Sequence, residues 1–228
     1  MTDLKTEFRG KKALVLGGTG AIGAALTDAL GRFMAVEALS RRDNGFDITR
    51  EASVAAWAGR LTGPYHLIFN ATGALEIEGA APEKALGALE PEAFLEQVKL
   101  NALGPALALK HLSPMLAEGR AIFASLSARV GSIGDNGLGG WYSYRAAKAA
   151  QNQLLHTAAI EIGRKRKEAV VVALHPGTVT SDLTRKYLGR HPSVSPAEAA
   201  ENLIRVLGGL TPEQSGGFFD WKGEPVPW

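Results

Sequence analysis

The apolar run Lys12-Ala13-Leu14-Val15-Leu16 passes directly into Gly17-Gly18-Thr19-Gly20-Ala21-Ile22-Gly23, and few architectures accept that junction. A short run without polar alternation reads as a strand buried on both faces, which means a parallel sheet covered by helices. After it, Ile22, Leu26, Ala29, Leu30 and Phe33 recur at helical spacing. Glycines in such a turn allow close backbone approach, and the helix start presents N–H groups without intrahelical partners. That combination suits a pyrophosphate. Gly17, Thr19, Gly20, Ala21 and Ile22 are the candidate positions facing it. A P-loop is excluded, because Ala24 stands where that motif requires Lys.

The same alternation continues along the chain. Further strands are predicted over Met34 to Leu39, Tyr65 to Phe69, Arg120 to Leu126, Ala169 to Leu174 and Gly217 to Trp221. Helices are predicted from a cap at Thr49 to Gly59, over Pro91 to Leu116 with a kink at Pro105, and over Tyr142 to Arg166. Two more cover Ser181 to Leu188 and Pro196 to Leu207. Buried strands separated by helices define an α/β doubly wound domain. No Pro/Ser-rich linker or repeat divides residues 1–228, so one domain is expected, with 183–195 as a lid over the substrate. That lid carries Arg185, Lys186, Arg190 and His191, which suit an anion or simply a solvated surface.

Composition closes off other classes. At 46% apolar and 21% charged, the 228 residues are those of a folded domain with a sizeable core. A net charge of +2 gives no argument for nucleic acid, and Arg164 to Lys167 reads as cations complementing a helix C-terminus. No apolar run approaches the ~18 residues of a membrane span. The count of 0 Cys removes disulfides and thiolate metal sites, and the five His show no ligand spacing, so no metal is expected. With no apolar leader in Met1 to Gly10, the expectation is a cytoplasmic protein.

Two local patterns carry chemistry. The second strand ends in Ser40-Arg41-Arg42 with no acid at its tip. A hydroxyl and a guanidinium suit the 2′-phosphate of NADP rather than the free ribose hydroxyl of NAD. Further on, Tyr144-Arg145-Ala146-Ala147-Lys148 sets a phenol and an ammonium one helical turn apart. A nearby ammonium favours phenolate, which makes the pair a proton donor to a carbonyl or an acceptor from an alcohol. Trp141 and Tyr142 beside it either line a pocket or pack.

On these motifs the chain resembles the short-chain dehydrogenase/reductase family, and Ala128 to Ala150 is similar to its C-factor-like branch. The resemblance implies a single Rossmann-type domain with a seven-stranded parallel sheet and hydride transfer involving a nicotinamide. It matches Gly17, Gly20 and Gly23 to the loop glycines. Ala21 replaces a usual glycine, a spacing closer to the extended branch, whose large C-terminal lobe this chain is too short to hold. Asp47-Ile48 matches the pair against adenine, and Asn70-Ala71-Thr72-Gly73 matches the ends of the family's Asn-Asn-Ala-Gly turn. Asn101 matches the helix Asn that holds a proton-relay water. Pro176-Gly177-Thr178-Val179-Thr180-Ser181 matches the turn beside the nicotinamide.

The serine of the family's catalytic set is displaced. The family has Ser-Ser about a dozen residues before Tyr; here Ser125-Leu126-Ser127-Ala128 precedes Tyr144, with Ser127 17 residues upstream. Aligned on Val130-Gly131, Ala128 takes the serine's place. Either Ser127 fills the role, which is the assignment adopted, or Ser132 reaches in, or no serine does. The catalytic set is then Tyr144, Lys148, Ser127 and Asn101. The function expected is an NADP-dependent oxidoreductase acting on a carbonyl or alcohol of a small molecule. The alternative is a weakly catalytic NADP-binding signalling protein. A hydrolase is disfavoured, since no Gly-x-Ser-x-Gly elbow occurs. Ala- and Leu-rich helices over Pro91–Leu116 and Tyr142–Arg166 lead to the expectation of a homo-oligomer, dimer or tetramer.

Overall fold

Five apolar runs and one short C-terminal strand form the sheet at the centre of the molecule. The structure, a computed structural model, describes residues 3–181, 186 and 193–228. Its strands are β1 (Lys12–Leu16), β2 (Ala35–Leu39), β3 (Leu67–Asn70), β4 (Ala121–Leu126), β5 (Ala169–His175) and β6 (Phe218–Asp220). They are ordered β2-β1-β3-β4-β5-β6, every neighbouring pair parallel. Among the described residues there are six strands, not the expected seven. The residues from Ser40 to Asp47 are too few for a further edge strand, because α3 (Arg41–Asn44) consumes them.

Alternation along the strands splits the interior in two. On one face Val15, Phe69, Ile122 and Val172 meet α2 (Ala21–Gly31) and α8 (Pro196–Gly209) through Leu26, Leu30, Leu203 and Leu207. On the other, Leu14, Ile68, Phe123 and Val171 meet α6 (Gly104–Leu112) and α7 (Tyr142–Lys165) through Leu109, Leu112, Leu155 and Ala159. Each fully buried Leu or Phe contributes about 1.5–3 kcal/mol. The termini of α8 follow their local chemistry: Ser195 accepts the N–H of Glu198 at 3.1 Å, and Pro196 opens the helix. A four-residue α1 (Leu4–Glu7), not foreseen, buries Leu4 against α8's side of the core.

Other boundaries moved for identifiable reasons. Thr49 is not the cap of α4 (Glu51–Ala58); Arg50 holds that position, because the Thr49 hydroxyl is spent on Asp47. Tyr65 only bridges to Leu116, so β3 begins two residues later. The region from Pro91 is α5 (Pro91–Val98), a π-helical segment Lys99–Leu103, and then α6. Pro105 therefore does not kink a continuous helix. It sits in the first turn of α6, where its missing N–H is tolerated. The helix expected over Ser181 to Leu188 and most of the 183–195 lid lie outside the described residues.

Candidate active site

The sheet order reverses between β1 and β3, so their C-terminal ends diverge and leave a crevice, the usual ligand position in such folds. Both loops that border it are compressed against each other. Gly17 has φ 83°, and a Cβ there would lie 3.0 Å from the Ala71 carbonyl carbon. A Cβ on Gly23 would lie 2.1 Å from the Gly17 oxygen, so no side chain fits at that position in the first turn of α2. Gly18, which the family match did not single out, would strike the Ala38 methyl at 2.8 Å. Gly20 caps α2 in extended conformation without a side chain in the way. A diphosphate fits this cradle, with Thr19, Ala21 and Ile22 beside it at the positive end of the helix.

A cleft of about 290 Å³ continues from the cradle, lined among others by Thr19, Ser40, Arg41, Asp47, Ile48 and Gly73. A larger open depression of about 530 Å³ lies elsewhere, against Asp3 and Glu201, and touches none of these residues. Ser40 caps α3 by accepting the N–H of Asp43 at 3.0 Å, which leaves its own hydroxyl proton to donate. Arg41 and Arg42 are exposed at the cleft's rim. Desolvation works to raise the Asp47 carboxyl, but hydrogen bonds from Thr49 and the charges of Arg41 and Arg50 prevail and hold it below its ordinary value. Ile48 is fixed by Gly104, whose absent side chain would meet it at 3.2 Å.

Behind β3 the polar residues form one network. Asn70 Nδ2 donates to Ser125 Oγ at 2.8 Å, and its Oδ1 accepts from the Thr72 hydroxyl at 2.7 Å. Gln151 Nε2 donates to the same Ser125 oxygen at 2.9 Å, while Gln151 Oε1 accepts from Lys148 Nζ at 2.9 Å. Lys148 also donates to the Leu126 carbonyl at 3.0 Å. Burial lowers its pKa to about 7 and raises that of Tyr144. The Lys148 ammonium lies 5.8 Å from the Tyr144 ring centroid. Gly73, at φ 146°, lies where a Cβ would stand 2.8 Å from Asn101 Oδ1 and 3.5 Å from Lys148 Nζ. Asn101 in turn accepts the Ala74 N–H at Oδ1 and donates from Nδ2 to the Ala74 carbonyl and, at 2.6 Å, to Gln97 Oε1.

Gly73, Asn101, Lys148 and Tyr144 are thus brought together, while Ser127 is aimed elsewhere. Its hydroxyl donates to Asn152 Oδ1 at 2.7 Å, eight residues past Tyr144, or about 12 Å along α7. The Ser132 hydroxyl accepts the N–H of Asp135 at 3.0 Å. Pro176 and Gly177 lead from β5 against the Trp221 ring, and Val179 is buried where it bridges to Val194. His175, at the end of β5, is lowered to about 4, chiefly by burial and then by Arg129. Lys186 pairs with Glu76 at 3.0 Å.

Gln151, Arg145 and Glu83 escaped the sequence reading. Arg145 ties the carbonyls of Val130, Gly139 and Gly140 to the helix. Gln151 and Asn152 did leave a signal: polar side chains on the stripe that also buries Ala147, Leu155 and Ala159.

The crevice, the glycine cradle and the Tyr-Lys turn define a dinucleotide-binding α/β protein. A family model described as enoyl-(acyl carrier protein) reductase matches residues 26–216. The 1-hydroxy-2-glutathionyl-2-methyl-3-butene dehydrogenase of Rhodococcus sp. (strain AD45) is 35% identical over 188 residues, 81% of this chain and 79% of that one. C-signal of Myxococcus xanthus is 32% identical over 169 residues, 73% of this chain and 95% of that one. An NADPH-bound carbonyl reductase from chicken fatty liver has the same fold, with TM-score 0.82 at 21% identity over 100% and 99% of the two chains. The chain belongs to the short-chain dehydrogenase/reductase family of oxidoreductases.

Proposed function

We propose that this protein is an NADP(H)-dependent oxidoreductase that reduces the carbonyl of a small molecule, or oxidises the corresponding alcohol. One observation carries the reading: Tyr144 and Lys148 stand a turn apart, the ammonium 5.8 Å from the phenol ring, beside the loop that follows β3. Gly17, Thr19, Gly20, Ala21 and Ile22 hold the diphosphate. Ser40 and Arg41 take the 2′-phosphate, Asp47 and Ile48 face adenine, and Asn70, Ala71 and Gly73 border the adjoining ribose. Pro176, Gly177, Val179 and Ser181 flank the nicotinamide, and Lys148 bonds its ribose. Bound there, NADPH supplies a hydride.

The protein's own part is the proton. Tyr144 donates it as negative charge grows on the substrate oxygen. Burial alone disfavours phenolate, so the Lys148 charge has to offset it, held in place by Gln151 and the Leu126 carbonyl. Pro105 offers no N–H to the carbonyl of Asn101 four residues back, which supports reading Asn101 as the residue that holds a relay water. Ser127 takes the substrate-binding role only by leaving Asn152; otherwise the carbonyl is met by Tyr144 alone.

The signalling alternative is not favoured, because a relative named as a dehydrogenase matches 81% of the chain. We also infer a homo-oligomer, since Leu95, Leu103, Leu154 and Ile160 are 41–62% exposed along α5, the π segment and α7. Cytoplasmic placement stays an inference; no described helix is long and apolar enough to cross a membrane. NADPH oxidation across aldehydes, ketones and quinones tests the activity. Tyr144→Phe should lower kcat by ~10²-fold or more and leave NADPH affinity nearly intact. Tyr142→Phe, next door, should change little. The reverse pattern would refute the assignment.

A further inference from the structure

We infer that Glu83, in the loop between β3 and α5, is a positioning residue for Tyr144: it replaces the missing N-cap of α7. The inference rests on reading Tyr144 as the proton donor. α7 starts without a cap of its own. Trp141, at the cap position, is left-handed at φ 54°, and its side chain makes no capping hydrogen bond. A cap residue is ordinarily extended and offers a side-chain oxygen to an N–H two or three positions on. Here that oxygen comes from 60 residues upstream.

Glu83 is 8% exposed and makes three contacts with the helix start. Its Oε2 accepts the N–H of Ser143 at 3.2 Å, its Oε1 accepts the Ser143 hydroxyl, and its main-chain oxygen accepts the Trp141 N–H. These contacts fall on both sides of residue 142 and end one residue before Tyr144. A carboxylate at this place also complements the positive end of the helix. Trp141, held by the same residue, meets the Tyr144 ring edge-on with centroids 6.3 Å apart. The preceding Gly139 and Gly140, at φ 66° and 67°, supply little stiffness themselves. Glu83 therefore sets both the first turn that carries the phenol and the ring that abuts it.

The test compares Glu83→Ala, Glu83→Gln and Ser143→Ala with the wild type, using NADPH and phenanthrenequinone as the probe carbonyl. Glu83→Ala should lower kcat tenfold or more while the NADPH dissociation constant stays within twofold. Glu83→Gln, which keeps one acceptor oxygen, and Ser143→Ala, which keeps the N–H contact, should fall between. Near-ultraviolet circular dichroism gives a readout free of turnover. The band of the Trp141–Tyr144 pair, taken as wild type minus Trp141→Phe, should vanish in Glu83→Ala while the helical signal persists. An unchanged band with unchanged kcat in all three variants overturns the inference. So does loss of NADPH binding in step with kcat in Glu83→Gln and Ser143→Ala, since that marks a structural role only. If Tyr144→Phe keeps full turnover, or the wild type has none, the proton-donor reading fails instead. The dichroism then still decides whether Glu83 holds the helix start.

Discussion

Lys148→Met should stabilise the cofactor-free protein at neutral pH and destabilise it in alkali. Lys148 is 3% exposed, and burial brings its pKa from 10.5 down to about 7. At about 1.4 kcal/mol per pH unit, folding with that charge costs on the order of 5 kcal/mol at and below pH 7. Between pH 7 and 10.5 the unfolded chain holds a proton that the folded chain lacks, so wild-type stability climbs with pH over that window. Met keeps the apolar stem and removes two hydrogen bonds. The Leu126 carbonyl retains Gln151 Nε2 at 2.9 Å, so only Gln151 Oε1 loses its donor, at about 1–3 kcal/mol. The balance favours Met by about 2–4 kcal/mol near pH 7, vanishes between about pH 8 and pH 10, and reverses above that. Urea denaturation of both proteins at several pH values measures the difference, in which all other titrations cancel. Parallel stability curves, or a variant weaker than wild type at pH 7, would refute the reasoning.

Gly23→Ala should abolish NADPH binding and cost about 1–3 kcal/mol, because its methyl would sit 2.1 Å from the Gly17 oxygen. Gly31→Ala, on the same helix with open space around it, should instead add about 0.5–1 kcal/mol, and thermal melts compare the two. Isothermal titration should show wild type preferring NADPH to NADH, with Arg41→Ala cutting that preference about tenfold or more. Equal wild-type affinities would end that assignment. Light scattering at micromolar concentration should give a multiple of 24.1 kDa; particles of that mass alone would refute the homo-oligomer.

What the sequence made legible was local. β1 with its glycine turn, β4, α7 and β5 each carry their signal within a few residues, as apolar runs or as Tyr and Lys one turn apart. The sheet's missing edge was not legible, because it depends on how α3 uses the residues after Ser40. Pro105 misled for a related reason: its effect depends on whether a helix begins or continues there. The site divided the same way. Gly73 and Asn101 came from a family match, and the structure sets them beside Lys148. The Ser127 hydroxyl is turned to Asn152, a partner that strand patterning does not specify. Glu83 gave no local signal at all, since its partners lie about 60 residues away in sequence.

The π segment gives one stretch of this protein a spare residue. Lys99–Leu103 holds one residue more than a regular helix would use, and the wider turn absorbs it. Deleting Ala102 would let Pro91 to Leu112 wind as one α-helix, with Pro91–Val98 and α6 keeping the faces they present now. Gln97, before the wide turn, would still face the Leu75 carbonyl. Asn101, inside it, would lose the setting that brings it to Ala74. The same deletion in the middle of α7 has no surplus to remove and would turn one half of that helix by about 100° against the other. A lost residue should therefore spare the fold at the π segment and fall on the site alone, whereas in α7 it should cost the fold.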